Sequence, residues 1–203
     1  MKNTTKLSDP FTWQMHDLIN FAQTWRESLD KRKRLASVYS SYWTFIRDWR
    51  KNIIHWLSDF SRGQYHFEPA IHCYALQENC IVWGFKDRLF LALLYRIIKP
   101  TFQAIIPDTC VHLKGPSQGV KHATQRITRA LGSGQFNYFM RLDIKGYYAS
   151  IQHDILFNQI KDTFDDPRVI HYFDQIIHHT VYDAGNYRTP SLGIPMQIGR
   201  AHV

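Results

Sequence analysis

The residue with the clearest chemical potential is Asp143, a carboxylate that follows the short apolar run 138–142 and precedes the turn residues Lys145 and Gly146. The apolar run predicts a strand. A carboxylate at the end of a strand is held at a sheet edge, where it can bind a hard ion such as Mg²⁺ through oxygen, and the carbonyl of Ile144 can add a backbone ligand. A lone aspartate after a strand is more often a cap or a turn former, so its neighbours decide the interpretation.

The composition predicts a folded, basic protein around this segment. The chain has 203 residues, of which 44% are hydrophobic and 15% aromatic, and a net charge of +8. That charge favours a polyanionic partner, nucleic acid before membrane, with a merely basic protein as the alternative. No apolar run approaches the ~18 residues of a membrane span, and the polar N-terminus lacks a signal region. The cysteines have no metal-ligand spacing, which favours a reducing, cytoplasmic setting.

The elements that must position Asp143 are mostly helices. The clearest is at 40–60, where Trp43, Trp49, Trp56 and Phe60 recur at helical spacing on one face. Further helices are predicted at 12–29, 86–98 with Pro100 closing it, 120–131, 152–163 and 167–179, and hairpins at 71–84 and around Ala184-Gly185-Asn186. The pair Asp165-Asp166 stands just before Pro167, which indicates a helix cap and not a metal site.

Basic residues supply candidate phosphate contacts. Lys86 and Arg88 open the helix at 86–98, Lys114 and Lys121 belong to the glycine-containing loop 107–121, and Arg126 lies on the next helix. Glycines let a backbone approach a phosphate closely, although the spacing of a P-loop is absent. An ordinary basic loop is the alternative at this position.

The segment that follows Asp143 carries a family resemblance. Residues 143–153 read Asp-Ile-Lys-Gly-Tyr-Tyr-Ala-Ser-Ile-Gln-His. This run resembles the first catalytic palm motif of bacterial reverse transcriptases of the retron and group II intron kind. The resemblance implies an α+β right-hand polymerase fold, here the fingers and part of the palm, with helices packed on a small antiparallel sheet. It also implies that Asp143 is catalytic and binds Mg²⁺ with the Ile144 carbonyl.

The same resemblance gives Tyr148 a role at the incoming nucleotide. The matching position in the family packs under the sugar, where a bulky ring would collide with a 2′-hydroxyl and favour deoxynucleotides. A core aromatic residue is the alternative reading of Tyr148. Further along, 192–196 resembles the next palm motif, in which Gly193 and Pro195 would lie against the template and the nucleotide. Residues 83–121 resemble the fingers less closely. There Lys86 and Arg88 would contact the nucleotide, with a structural Asp87–Arg88 pair that braces the fingers as the alternative, and Lys114, Lys121 and, beyond this segment, Arg126 would contact the nucleic acid.

The resemblance also indicates what is missing. The family's aromatic-x-Asp-Asp hairpin does not occur, so two Mg²⁺ ions would have an incomplete second site and the chain alone is expected not to polymerise. Residues 197–203 are what the codons CAG-ATC-GGA-AGA-GCA-CAC-GTC encode, a series similar to a sequencing adapter, so we interpret them as non-native; a true divergent terminus is the alternative. The expected domains are an N-terminal helical extension at 1–64, fingers at 65–137, partial palm at 138–196 and the tail.

The leading hypothesis is therefore an RNA-directed DNA polymerase fragment that uses an RNA template, a DNA or RNA primer and dNTPs, without membrane attachment. An RNA-directed RNA polymerase shares an aspartate in its first palm motif and remains open as one alternative. A catalytically idle, maturase-like RNA-binding scaffold is the other.

Overall fold

The computed structural model describes residues 13–30, 41–75, 78–107, 109–110, 119–136, 138 and 140–194. Within these ranges the chain forms helices, short strands and one 3₁₀ turn at Tyr148–Ser150. The helices are α1 (Met15–Asp30), α2 (Ser41–Ser61), α3 (Phe85–Ile105), α4 (Val120–Gly132), α5 (His153–Thr163) and α6 (Pro167–Ile177), and the strands are β1 (Ala70–Ala75), β2 (Glu78–Val82), β3 (Val181–Asp183) and β4 (Asn186–Arg188). The helices predicted at 12–29, 40–60, 120–131, 152–163 and 167–179 are confirmed to within three residues at each end. None of the described helices is long and apolar enough to cross a membrane.

The chain divides into two compact units. The first unit consists of Met1–Ile97 together with Gly146–Val203, and the second consists of Ile98–Lys145. The mixture of helices with a small sheet agrees with the expected α+β class. The domain boundaries expected at residues 64, 137 and 196 stay predictions.

The sheet lies in the first unit and has the strand order β2-β1-β3-β4. Two antiparallel hairpins, β1–β2 and β3–β4, confirm the predicted hairpins. The hairpins are joined through a parallel pair, in which Ala70 lies opposite Val181, so the expectation of a purely antiparallel sheet is wrong. A parallel pair needs a long crossover connection, and no local sequence pattern encodes that pairing.

Aromatic side chains from α2, α3 and α6 form the core of the first unit. The ring of Phe60 stacks on that of Tyr172 at 4.8 Å between centroids, and the Tyr172 hydroxyl donates to the Phe60 carbonyl at 2.6 Å. Phe90 belongs to the same cluster, and its ring centroid lies 4.0 Å from that of Tyr65. Truncating a buried ring of this kind costs about 3–5 kcal/mol, so this cluster fixes how the three helices pack.

The end of α2 is joined to the start of α6. Gly63 turns the chain with a φ of +76°, and a Cβ there would lie 2.9 Å from the Arg168 side chain. Asp166 caps α6 by accepting from the backbone N–H of Arg168 at 2.8 Å, and the Arg168 guanidinium reaches the Ser61 carbonyl at 3.1 Å. These contacts confirm the cap interpretation of Asp166.

The face predicted for α2 and one predicted helix end differ from the structure. The buried residues of α2 include Tyr42 and Phe45 whereas Trp43 is 45% exposed, because positions 42, 45 and 49 are also spaced three and four apart. On α5 the buried face follows His153 and Ile160, and Ile155 is exposed.

The helix end predicted at Pro100 is also wrong, because α3 continues through that proline to Ile105. Proline at this position removes one donor, and the carbonyl that loses its partner belongs to Arg96. Both residues are exposed, so that carbonyl can face water.

Candidate functional site

Asp143 lies on irregular backbone in the second unit with its side chain exposed. The strand predicted at 138–142 is wrong for the positions described there, namely 138 and 140–142, which carry no strand assignment. Tyr138 is 93% exposed and Leu142 80% exposed. A strand requires a hydrogen-bonded neighbour, and none of the described strand pairs includes this segment. The apolar pattern therefore indicates strand propensity, but the described residues provide no neighbouring strand to pair with this segment.

Among the described residues, the side-chain ligands are too few for two metal ions. The described residues contain no group of three or more His, Cys, Asp or Glu side chains that could surround an ion. Asp166, which the sequence assigned to a helix cap and not to a metal site, is buried against Arg168 and caps α6. Asp143 and the Ile144 carbonyl therefore stay a predicted half-site.

Tyr148 is the first residue of the 3₁₀ helix Tyr148–Ser150, which forms the middle of the turn at 147–151. Gly146 enters it with a φ of +65°, and the Ser150 N–H donates to the Gly146 carbonyl at 3.1 Å. The Ser150 hydroxyl also donates to the Tyr147 carbonyl at 3.0 Å. The Tyr148 ring is 43% exposed and packs edge-on against Tyr147 at a centroid distance of 5.4 Å, so it is not buried in the core.

The segment 191–194 lies directly on this turn. The N–H of Gly193 donates to the Ile151 carbonyl at 2.8 Å, and the N–H of Ile194 donates to the Tyr148 carbonyl at 2.9 Å. Gly193 is buried with a φ of +81°, and a Cβ there would lie 2.9 Å from the Ala149 carbonyl oxygen. Only glycine satisfies both the dihedral and the space. Two stretches distant in sequence, each predicted to face the nucleotide, are thus joined backbone to backbone.

His153, which the sequence reasoning did not assign to the site, reinforces this junction. Its side chain is 95% buried at the start of α5, and its Nε2 lies 2.7 Å from the Gly193 carbonyl oxygen. An adjacent cleft of about 530 Å³ runs between the start of α5, His178 and residues 191–192. The position of the histidine at the end of the Ser-Ile-Gln-His stretch was the available signal.

The predicted nucleotide contacts Lys86 and Arg88 already have neighbours in the first unit. Lys86 forms an ion pair with Glu68, and its Nζ lies 5.8 Å from the Trp56 ring centroid and 5.7 Å from that of Tyr65. The Arg88 guanidinium lies 4.9 Å from the Phe85 ring centroid. A triphosphate would have to compete with Glu68 for Lys86, so this contact stays a prediction.

Asp87, between those two residues, is a buried structural carboxyl. The Tyr65 hydroxyl donates to Asp87 Oδ1 at 2.5 Å, and the Glu68 N–H donates to Oδ2 at 3.3 Å. Burial raises the pKa of Asp87 to about 7, although the Tyr65 hydrogen bond opposes the shift. Burial, with the nearby Asp87 charge, also raises the pKa of Tyr65, so the phenol keeps its proton and remains the donor.

The remaining candidates belong to the second unit or lie outside the described residues. Lys121 and Arg126 are exposed on α4, which has no buried side chain. Arg129, three residues after Arg126 on the same face, was missed although its helical spacing signals it. Lys114 and Pro195 lie outside the described residues, as does the tail at 197–203.

Comparison with known proteins shows a likeness in fold. No family model matches the chain, and no curated protein matches it. Two solved structures resemble it with a TM-score of 0.53 and 15% identity over 91% of this chain, a partial Cas6-RT-Cas1–Cas2 complex and a Cas6-RT-Cas1–Cas2 complex. The chain spans 32% of the matched chain in the first and 20% in the second. These complexes contain a reverse transcriptase, so the fold of this chain is similar to part of an assembly that includes one.

Proposed function

We propose that the chain is the nucleotide-binding part of an RNA-directed DNA polymerase of the bacterial retron or group II intron kind. The sequence of residues 143–153 and the likeness in fold to complexes that contain a reverse transcriptase both support this assignment. The contact that carries the proposal is the seating of Gly193 on the Tyr148–Ala149 backbone. It joins the two segments that the proposal places around one nucleotide.

The chemistry of nucleotide transfer makes modest demands on the protein. The primer 3′-hydroxyl attacks the α-phosphate of a dNTP in line, the bond from the α-phosphorus to the bridging oxygen breaks, pyrophosphate leaves and the hydroxyl proton passes to solvent. The protein mainly aligns the reactants and stabilises charge. In this proposal Tyr148 lies under the sugar and excludes a 2′-hydroxyl, and Gly193 lets the backbone approach the base pair. Asp143 supplies one carboxylate and Ile144 one backbone carbonyl to a Mg²⁺ site that no group of three or more His, Cys, Asp or Glu side chains completes among the described residues.

The nucleic acid in this proposal is an RNA template paired with a DNA or RNA primer. The chain carries a net charge of +8, and α4 presents Lys121, Arg126 and Arg129 from an exposed surface. Exposed basic side chains on a helix can follow a phosphate backbone, and such contacts set affinity and not sequence preference. The basic surface therefore fits a partner that is recognised by its backbone.

One observation favours a second candidate, an RNA-binding scaffold without catalysis. Among the described residues, no cluster of acidic or other ligating side chains surrounds Asp143. A scaffold of this kind would bind RNA through α4 and would not depend on the Asp143 carboxylate. The two candidates therefore differ in what happens when that carboxylate is removed.

The test is primer extension by the product of the complete reading frame that contains this chain, with dNTPs, Mg²⁺ and an RNA template. Asp143→Asn should reduce extension about a thousandfold, because stabilisation worth several kcal/mol is lost. Asp162→Asn is the matched control, since Asp162 is exposed on α5. RNA binding without extension would support the scaffold, and extension with ribonucleotides alone would indicate an RNA polymerase.

A further inference from the structure

The side chain of His153 makes one hydrogen bond with the segment at 191–194, and its direction is fixed by chemistry. Nε2 lies 2.7 Å from the carbonyl oxygen of Gly193, and a carbonyl can only accept. His153 therefore carries its proton on Nε2. The neutral Nε2–H tautomer and the imidazolium both make this bond, whereas the Nδ1–H tautomer does not.

The burial of His153 is not explained by packing alone. The side chain is 95% buried, and Nδ1 has no hydrogen-bond partner among the described residues. Leaving a polar atom buried without a partner is unfavourable, so an apolar residue would suit a purely packing role better. The feature that an apolar residue could not reproduce is the bond to Gly193.

That bond leads directly to the residue proposed to select the sugar. Gly193 packs so closely against the Ala149 backbone that an added Cβ would lie 2.9 Å from the Ala149 carbonyl oxygen. The next residue, Ile194, donates its N–H to the Tyr148 carbonyl at 2.9 Å. A displacement of 191–194 would therefore turn the peptide that carries the Tyr148 ring.

We infer that His153 is a positioning residue for sugar selection, which holds Gly193 against the turn at 147–151 and thereby fixes the Tyr148 ring. This inference rests on the proposed nucleotide site. His153 does not touch the nucleotide in this scheme, and it acts through the backbone of Gly193 and Ile194. Its contribution depends on an Nε2–H donor and not on transfer of a proton.

The first arm of the test is hydrogen exchange on the 203-residue chain. His153→Ala should speed exchange of the Gly193 and Ile194 amides about tenfold or more, while the Ala70 amide, bonded to Thr180 in the sheet, serves as the internal reference. His153→Gln, which keeps a donor at similar reach, should restore most of the protection. Unchanged exchange at Gly193 and Ile194 in His153→Ala would overturn the inference.

The second arm measures the binding of dCTP and of CTP to the same chain by equilibrium dialysis in MgCl₂. The wild-type chain should prefer dCTP, His153→Ala should lower the dCTP-to-CTP ratio about tenfold, and His153→Gln should restore it. His178→Gln is the matched control, because His178 lies beside His153 at 5.3 Å between ring centroids but is exposed and bonded to Asp174. Binding with an unchanged ratio in His153→Ala overturns only the role of His153. If neither dCTP nor CTP binds the wild-type chain, the nucleotide site is overturned and this inference with it.

Discussion

In the first unit the residues of interest are held by contacts within the chain, whereas in the described part of the second unit they project from exposed backbone. Gly193 and Ile194 each donate one backbone hydrogen bond to the turn at 147–151, and His153 binds the Gly193 carbonyl. From residue 119 to residue 145, by contrast, no described side chain is buried. Asp143 and the basic residues of α4 lie in this second region.

Substitutions in the two regions are expected to affect different properties, stability in the first and binding in the second. Substitutions at buried contacts in the first unit should change the free energy of unfolding, because they leave unpaired polar groups or steric clashes. Substitutions at exposed positions in 119–145 should leave stability within about 0.5 kcal/mol and alter only what the chain binds. The two regions can be tested against each other, beginning with the largest expected effect.

The buried carboxyl of Asp87 should make stability depend on pH. Its pKa is about 7 in the folded state, against an ordinary value of 3.8 for the unfolded chain, so the folded state binds the proton more tightly. Stability from this group is complete below pH 4, falls as the pH rises from 4 to 7, and is constant above 7. About three pH units at 1.36 kcal/mol each correspond to about 4 kcal/mol.

Urea unfolding of the wild-type chain and of Asp87→Asn between pH 4.5 and 8 measures the predicted pH dependence of stability. The free energy of unfolding of Asp87→Asn should not decline over this pH range. This expectation concerns the slope with pH and not the stability of the variant at any single pH. Tyr65→Phe should extend the decline above pH 7, because the Tyr65 hydrogen bond lowers the pKa of Asp87. Equal pH slopes in the wild-type chain and Asp87→Asn would contradict the assignment of the raised pKa to this residue.

The second prediction concerns two glycines with similar dihedrals and different surroundings. Gly193→Ala combines the strain of a φ of +81° with a clash against the Ala149 carbonyl, and should cost about 3 kcal/mol. Gly185→Ala has a φ of +96° but no atom within 4 Å, and should cost about 1–2 kcal/mol from strain alone. Denaturant midpoints of the two variants measure the difference. Equal losses would mean that the close approach at Gly193 does not contribute.

The contrast between the units also shows what the sequence could reveal. Helices α2, α4, α5 and α6, the hairpin turn at Ala184-Gly185 and the Asp166 cap follow from spacing and from local chemistry, and the structure confirms them. The parallel β1–β3 pair and the Tyr65–Asp87 hydrogen bond join positions far apart in sequence, for which no periodic signal exists. At 138–142 the local pattern favours a strand, yet strand formation depends on a partner that the pattern cannot specify.

The candidate site shows the same contrast between features set by local sequence and contacts between distant residues. The motif resemblance pointed to Tyr148 and Gly193 separately, but nothing in the sequence predicted that Ile194 would donate to the Tyr148 carbonyl or that His153 would bind Gly193. Residue type marks which positions can perform chemistry. The contacts between those positions require the fold.

The third prediction tests the exposed ring of Tyr148. If the proposed function holds, Tyr148→Ala should lower the selectivity for dCTP over CTP about 10- to 100-fold in primer extension, because the ring no longer collides with the 2′-hydroxyl; this is about 1.4–2.7 kcal/mol. Tyr147→Ala is the control, since that ring is also exposed and lies 5.4 Å from Tyr148. Steady-state incorporation of each nucleotide gives the ratio, and unchanged selectivity in Tyr148→Ala would refute the role.

The smallest expected effect belongs to α4 and distinguishes two of its faces. At about 100° per residue, Arg126 shares a face with His122 and Arg129, whereas Lys121 lies about 140° away from Arg126. A single phosphate backbone can follow only one face of a helix this short, and the face that carries the two arginines, Arg126 and Arg129, should be favoured. Arg126→Ala should therefore reduce the slope of log K against log salt for an RNA–DNA hybrid by about 0.7–0.9, and Lys121→Ala by less than half of that.

Fluorescence anisotropy of a labelled hybrid over a range of salt concentrations measures both slopes. Lys161→Ala, on α5 in the first unit, is the control and should leave the slope unchanged. All three variants should unfold at the same urea concentration as the wild-type chain, since each changes an exposed side chain. If Lys121→Ala lowers the slope as much as Arg126→Ala, the nucleic acid contacts both sides of α4, and the helix must lie across the backbone with its first turn inserted instead of along it.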